Sequence, residues 1–212
     1  MTTDQASTTR RQRARRGEGL RLRDDIVAAA EKLLIETGDP DEVSIRAITK
    51  LVGVSPPAVY MHFEDKNALI FEVCAARFEE FHGYLAAAFA TSDDPVESLW
   101  AGGRAYIQFG LDNQEQYRLL FMSRHGERPT GRELEDMPGL SAFYLLVGAI
   151  QRCIEDALLR DDIDAFSASV SLWAGLHGLT SALISHPEFP FLPLERTIDD
   201  LLEVHLKGLL RR

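Results

Sequence analysis

A short turn divides residues 44–63 into two short helices. Gly53 ends the first helix, and Ser55 with the adjacent prolines Pro56 and Pro57 begins the second. Proline is favoured at the first helical position, because its missing N–H would have no intrahelical partner there. A serine directly before it is a preferred N-cap residue. The pattern therefore predicts a helix-turn-helix.

Helical signals continue on both sides of this pair. Apolar residues between Ile26 and Leu34 recur at helical spacing, Asp65 and Asp94 are N-cap residues, and Glu97 stands where a capping box requires it. The last three helices are predicted at about 140–160, 163–185 and 194–210. Because no window alternates between apolar and polar residues with period two, we predict an all-α fold.

Charge is distributed unevenly along the chain. Residues 1–66 contain eleven basic and eleven acidic residues, whereas residues 67–212 contain twelve and twenty-two and so carry the net charge of −10. We predict a disordered basic arm (1–19), a helix-turn-helix domain (20–66) and a second helical domain (67–212). The basic front favours a nucleic-acid partner; the alternative is a solvated tail. A mobile loop is predicted over 123–139.

Enzymatic motifs are missing from the sequence. It has no glycine-rich phosphate loop, no H-E-x-x-H and no G-x-S-x-G. His177 and His186 are nine positions apart, not the four of a helical metal pair. We therefore expect no catalytic residues, no metal and no cofactor.

Three features bear on the compartment. Residues 165–187 carry no charged side chain other than histidine, but their serines and threonines make the run too polar for a membrane span. No apolar segment follows the basic start, so a secretory signal is not expected. Cys74 and Cys153 lie in apolar helical stretches and predict buried free thiols in a reducing compartment. We expect a cytoplasmic protein.

The second short helix supplies candidate DNA contacts. Residues near its start would reach base edges in the major groove. Four of them can contact thymine methyl groups without forming bidentate base contacts: Pro56, Pro57, Ala58 and Met61. Others are placed for phosphates: Ser55, Tyr60, His62 and Lys66. Arg46 can reach phosphate or guanine. The alternative is that all are only surface residues of a small helical bundle.

Residues 22–70, and above all VSIRAITKLVGVSPPAVYMHFEDKNAL at 43–69, resemble the DNA-binding domain of TetR-family transcriptional regulators. The resemblance implies that 20–66 is a DNA-binding domain and 67–212 a ligand-binding and dimerisation domain. It also implies a homodimer, a double-stranded DNA operator and an unknown small-molecule effector. It assigns phosphate contacts to Ser44, Tyr60, His62 and Lys66. It also assigns base-region contacts to Arg46, Pro56, Pro57, Ala58 and Met61.

Later in the chain, Trp173 with His177-Gly178 resembles the Trp-x-x-x-His-Gly element of one C-terminal subgroup. In the family this penultimate helix forms the dimer interface with the last helix. Small residues would allow the close approach of two helices: Ser167, Ser171, Ala174, Gly175 and Gly178. The last helix carries an apolar stripe: Leu194, Ile198, Leu201, Leu202, His205 and Leu209. The alternative for this stripe is packing within one core.

Aromatic side chains give the second candidate site. In the family the corresponding helices surround a ligand cavity, which implies these lining residues: Phe78, Trp100, Tyr106, Phe109, Phe121, Phe143, Trp173 and His177. Core packing is the alternative for each. We expect a repressor that an apolar or aromatic molecule releases from its operator. The rival is a helical ligand-binding or protein-interaction module without specific DNA binding. Binding to DNA flanking the chain's own gene separates the two.

Overall fold

A computed structural model describes residues 18–122 and 137–211. Most of the predicted arm and most of the predicted loop lie outside these ranges, but residues 18–19, which were predicted to be disordered, are helical. The described residues form nine α-helices and one π-helical turn, Arg118–Met122. The α-helices are α1 (Glu18–Thr37), α2 (Ile45–Val52), α3 (Pro56–Tyr60), α4 (Lys66–Phe89), α5 (Pro95–Asp112), α6 (Gln114–Tyr117), α7 (Leu140–Glu155), α8 (Ala165–Ser185) and α9 (Leu194–Leu209). The all-α prediction is confirmed.

Local signals set the ends of α2 and α3. The Ser44 side chain accepts a hydrogen bond from the Ala47 N–H at 3.1 Å and caps α2. Gly53 ends α2 with φ +77°, a left-handed conformation that favours glycine. Ser55 has the extended backbone of an N-cap, but its side chain makes no capping hydrogen bond. Helix α3 is also shorter than predicted, with five residues, because the chain turns after Tyr60.

The capping box predicted for α5 takes a different form. The Asp94 side chain accepts from the backbone N–H groups of Val96 and Glu97, as an N-cap residue does. The Glu97 carboxylate accepts from the Ser92 hydroxyl at 2.8 Å instead of reaching back to Asp94. Asp94 thus caps the start of α5, and Glu97 holds the preceding turn through its hydrogen bond with Ser92.

Two hydrophobic cores organise the fold. The first joins α1, α2, α3 and the start of α4 around fully buried side chains such as Ile26, Ile48 and Val59. It continues along α4 to Cys74, beyond residue 66. The second core takes the rest of α4 together with α5 to α9. Helix α4 therefore belongs to both cores.

Helix α9 turns much of its apolar stripe inward. Ile198, Leu202 and Leu206 are buried in the second core, and Leu202 is fully enclosed. A side chain at Gly175 would overlap the His205 ring, so this glycine lets α9 pack against α8 of the same chain. The prediction that Ile198, Leu202 and Gly175 face a partner helix is therefore wrong. Their contacts lie within one protomer.

Within the described ranges, Leu159 and Leu210 form an isolated antiparallel β-bridge. It ties the end of α9 to the connection between α7 and α8. In the same ranges, no helix combines the length and the hydropathy needed to cross a membrane.

The crossing of α5 and α8 generates a stability prediction. A methyl group added at Gly110 would overlap Thr180, which is fully buried and held by a hydrogen bond to the Leu176 carbonyl at 2.8 Å. We expect Gly110→Ala to lower the free energy of unfolding. Overpacking lowers this free energy by about 1–3 kcal/mol, whereas the better helix propensity of alanine raises it by about 1 kcal/mol. We expect the overpacking to be the larger effect.

Gly83 provides the matched control, because it lies inside α4 with open space around an added methyl group. Gly83→Ala should raise the free energy of unfolding by about 0.5–1 kcal/mol. Urea unfolding at one protein concentration measures both variants. Equal stabilisation by the two substitutions would contradict the tight helix crossing.

Candidate functional site

The first candidate site is the outer face of α2 and α3. Val59 is fully buried and anchors α3 in the first core. Its neighbours Tyr60 and Met61 are 53% and 84% exposed. Most of the predicted DNA contacts are exposed: Ser44, Arg46, Ser55, Pro56, Pro57, Tyr60 and Met61. Three are half-buried: Ala58, His62 and Lys66. The structure thus brings the predicted residues to one end of the molecule.

The charge on this face contrasts with that of the whole chain. Residues 43–63 contain Arg46, Lys50 and His62 but no aspartate or glutamate, although the chain carries a net charge of −10. A polyanion approaching α2 and α3 therefore meets no carboxylate from these helices. Cationic and hydroxyl side chains on such a face are suited to phosphate contacts.

Lys66 already has partners in the protein. Its ammonium group donates to the Pro40 carbonyl at 2.9 Å and lies 4.0 Å from the Asp41 carboxylate. This contact ties the start of α4 to the connection between α1 and α2. Lys66 therefore positions the helix-turn-helix, and its predicted phosphate contact stays a prediction.

The second candidate site is a cavity of about 470 Å³ in the second core. Five of the eight predicted aromatic residues line it: Phe78, Tyr106, Phe121, Phe143 and Trp173. Further lining residues include Phe81, Leu85 and Phe89 of α4 and Phe166 and Val170 of α8. The α4 residues recur at helical spacing from Phe78, and this is the signal that could have identified them.

The other three predicted lining residues lie off the cavity surface. Phe109 packs against the rings of Phe81 and Tyr84 at centroid distances of 4.8 and 5.5 Å. Trp100 lies under the Arg104 guanidinium, 6.0 Å from it. His177 is screened by the stacked rings of Tyr117 and Trp173. The prediction that they line the cavity is therefore wrong: Phe109 and His177 pack against other rings and Trp100 against Arg104, and none of the three is among the lining residues.

A chain of hydrogen bonds runs behind one cavity wall. The hydroxyl of Tyr106 lies 3.2 Å from that of Tyr117, which lies 2.8 Å from His177 Nδ1. The Ser181 hydroxyl lies 3.5 Å from His177 Nε2. Burial lowers the pKa of His177, so its imidazole is neutral at pH 7. Burial raises the pKa of both tyrosines, which keeps their hydroxyl groups protonated.

One short segment connects the cavity to the first core. Tyr117 ends α6 and is fully buried in the second core. In the π-helical turn that follows, Leu119 is buried in the first core, whereas Leu120 belongs to the second. Phe121 lines the cavity. The cavity-lining residue Phe121 is thus two positions from a side chain that is buried in the first core.

Comparison with known proteins shows the same two-part organisation. The family model for bacterial regulatory proteins, tetR family, matches residues 26–73. The model for a tetracyclin repressor-like C-terminal domain matches residues 99–209, slightly more than half of the chain. Both matches concern whole domains, so the narrower resemblance around Trp173 and His177 stays a prediction.

A sequence relative is the HTH-type transcriptional activator FasR of Mycolicibacterium smegmatis. It is 27% identical over 111 residues, which are 50% of this chain and 48% of the relative. The chain thus aligns with about half the length of that relative.

Solved structures share the fold. A TetR family transcription regulator from Marinobacter aquaeolei VT8 superposes with a TM-score of 0.70 and 17% identity, covering 90% of this chain and 96% of that one. NalD, the secondary repressor of the MexAB-OprM multidrug efflux pump in Pseudomonas aeruginosa, superposes with a TM-score of 0.66 and 22% identity, covering 92% of this chain and 99% of that one. These neighbours are transcription regulators and not enzymes. Because the two family models match the helix-turn-helix and most of the second core, the chain belongs to the TetR family of transcriptional regulators.

Proposed function

We propose that this chain is a dimeric repressor whose operator binding is weakened when a small apolar molecule occupies the cavity. The observation that carries the proposal is the segment Tyr117–Phe121, which is packed in both cores and also lines the cavity. A ligand site and a DNA-binding face joined in this way have the parts that an allosteric regulator requires.

Operator binding begins with the exposed face of α2 and α3. Helix α3 enters the major groove, where Met61 and the two prolines Pro56 and Pro57 contact thymine methyl groups. Tyr60 and His62 at its end, with Ser44 at the start of α2, contact phosphates. Arg46 is exposed on the same face and reaches phosphate or guanine.

Dimerisation uses the outer faces of α8 and α9. Ala174 and Gly178 are exposed on α8, and Val204 is 73% exposed on α9. Small exposed residues allow a second helix to approach closely, and Val204 adds apolar area beside them. A two-fold axis at this surface presents two copies of α3 to successive major grooves.

The acidic second domain keeps DNA on the helix-turn-helix side, since like charges repel. A ligand that enlarges the cavity displaces Phe121, and Leu119 transmits the displacement to α1 and α4. By linkage, a ligand that weakens operator binding must itself bind the DNA-bound dimer less tightly. A dimer bound over a promoter blocks transcription, which is why we assign a repressor.

Two substitutions on α3 test the DNA-binding face. Tyr60→Phe removes a phosphate donor, so the affinity for DNA flanking the chain's own gene should fall about tenfold, equally on all sequences. Met61→Ala should instead change which operator variants are preferred, because it removes a contact to base edges. Fluorescence anisotropy with labelled duplexes measures both effects.

Tyr144→Phe is the control for these variants, since Tyr144 is equally exposed at 53% but lies on α7. It should bind like the unmodified protein. If Tyr60→Phe and Met61→Ala both bound like this control, α3 would not be the recognition helix, and the rival without specific DNA binding would gain support.

One double variant tests the dimer surface. Ala174→Glu with Val204→Glu places four carboxylates at the two-fold interface without disturbing a buried side chain, so monomers without operator affinity are expected. Sedimentation measures the assembly. Leu20→Glu is the control, because Leu20 is 72% exposed on α1 and should leave the dimer intact. A stable dimer of the double variant would exclude this surface.

Filling the cavity tests the switch. Ala142 of α7 lines the cavity, so the ring in Ala142→Phe should imitate a bound ligand and weaken operator binding about 5–150-fold. Gly148→Ala, on the same helix with open space around the added methyl group, is the control. Unchanged operator affinity in a folded, dimeric Ala142→Phe protein would contradict the coupling.

A further inference from the structure

The cavity wall is free of charged side chains among the residues that the structure describes. Phenylalanine, leucine and other apolar residues form nearly all of it. Two lining side chains carry a polar atom, the Tyr106 hydroxyl and the Trp173 indole N–H. A carboxylate or phosphate placed there would lose its hydration without gaining a cationic partner from these residues, which is very unfavourable.

The Tyr106 hydroxyl belongs to a chain of hydrogen bonds. It lies 3.2 Å from the Tyr117 hydroxyl, which in turn lies 2.8 Å from His177 Nδ1. The otherwise apolar cavity therefore has a polar point, the Tyr106 hydroxyl, and the groups hydrogen-bonded behind it are neutral.

This hydrogen-bond chain can run in either direction. When Tyr106 donates to Tyr117 and Tyr117 donates to His177 Nδ1, the Tyr106 oxygen retains a lone pair for a ligand O–H. When His177 carries its proton on Nδ1, both tyrosines reverse, and the Tyr106 O–H is free to donate to a carbonyl. Neutral imidazole has both tautomers available. The polar point thus serves a hydroxyl or a carbonyl group.

The volume sets the size of the occupant. At about 30 Å³ for a water-sized group, 470 Å³ holds roughly 16 non-hydrogen atoms. Phe166, Val170 and Met137 line the cavity and are also 51%, 41% and 46% exposed, so they mark its opening to solvent. The apolar space can therefore admit a molecule between α8 and the segment before α7, with its polar end towards Tyr106.

We infer that the cavity selects an uncharged amphiphile of roughly ten to fifteen carbons with a single hydroxyl or carbonyl group that hydrogen-bonds to Tyr106. The inference rests on the proposed ligand cavity and adds the chemical class of its ligand. It distinguishes alcohols, ketones and aldehydes from the corresponding carboxylates, which share the apolar body but not the neutral head group.

Three probes of equal chain length test the selection: 1-decanol, 2-decanone and decanoate. Trp173 lines the cavity, so its fluorescence reports binding to the full-length dimer, with Trp100→Phe removing the second tryptophan. At pH 8 we expect the alcohol and the ketone to bind at least tenfold more tightly than decanoate, because the carboxylate is ionised.

Tyr106→Phe tests the polar point while keeping the ring. It should weaken 1-decanol and 2-decanone binding about fivefold, the factor equivalent to one net hydrogen bond. Tyr84→Phe is the matched control, because Tyr84 also lies among aromatic rings but does not line the cavity. It should leave all three affinities unchanged.

Decanoate binding as tightly as 1-decanol would overturn the inference, and so would equal affinities in Tyr106→Phe and the unmodified protein. Failure of all three probes to bind would overturn it as well. The same probes are then added to the operator complex. Selective binding of the neutral probes without any loss of operator affinity would contradict the proposed switch and leave the ligand class established.

Discussion

The packing of Leu119 in the first core, together with the shared helix α4, joins the two domains. Leu119 comes from the π-helical turn after α6, which contacts α4. Its neighbour Leu120 is buried in the second core, and Phe121 lines the cavity. Successive residues of one turn are therefore packed in different cores, and we propose that a change in one core is transmitted to the other here.

The helix-turn-helix could be predicted closely because its signals are local. Ser44 and Gly53 fix α2 by a cap and a left-handed turn, and Asp65 caps α4 by accepting from the Ala68 N–H at 2.7 Å. Helix α3 was predicted too long because its apolar residues continue past Tyr60, where the structure has a turn with mixed i−4 and i−3 backbone hydrogen bonds. The exact end of such a short helix has no clear signature in the sequence.

The cavity could be predicted only in part. Aromatic content identified the helices around it, but could not show which rings face the space and which pack behind one another. Phe109 and His177 are covered by neighbouring rings, while Phe166 is a lining residue through its position at the start of α8. Likewise, the apolar stripe of α9 did not reveal that Leu202 is buried in the core of its own protomer. These outcomes depend on how helices far apart in sequence cross.

The distance between the two recognition helices tests the central claim most directly. Leu51→Cys places a spin label on α2, at a half-exposed position outside the proposed DNA contacts, while burial raises the pKa of the Cys74 and Cys153 thiols to about 11 and leaves them unlabelled. Pulsed electron paramagnetic resonance then gives the label separation in the dimer. We expect one narrow separation when operator is bound, because the two recognition helices are then held in successive major grooves about 34–36 Å apart, and a shifted distribution when 1-decanol fills the cavity of the free dimer. Identical distributions at saturating ligand would contradict the account.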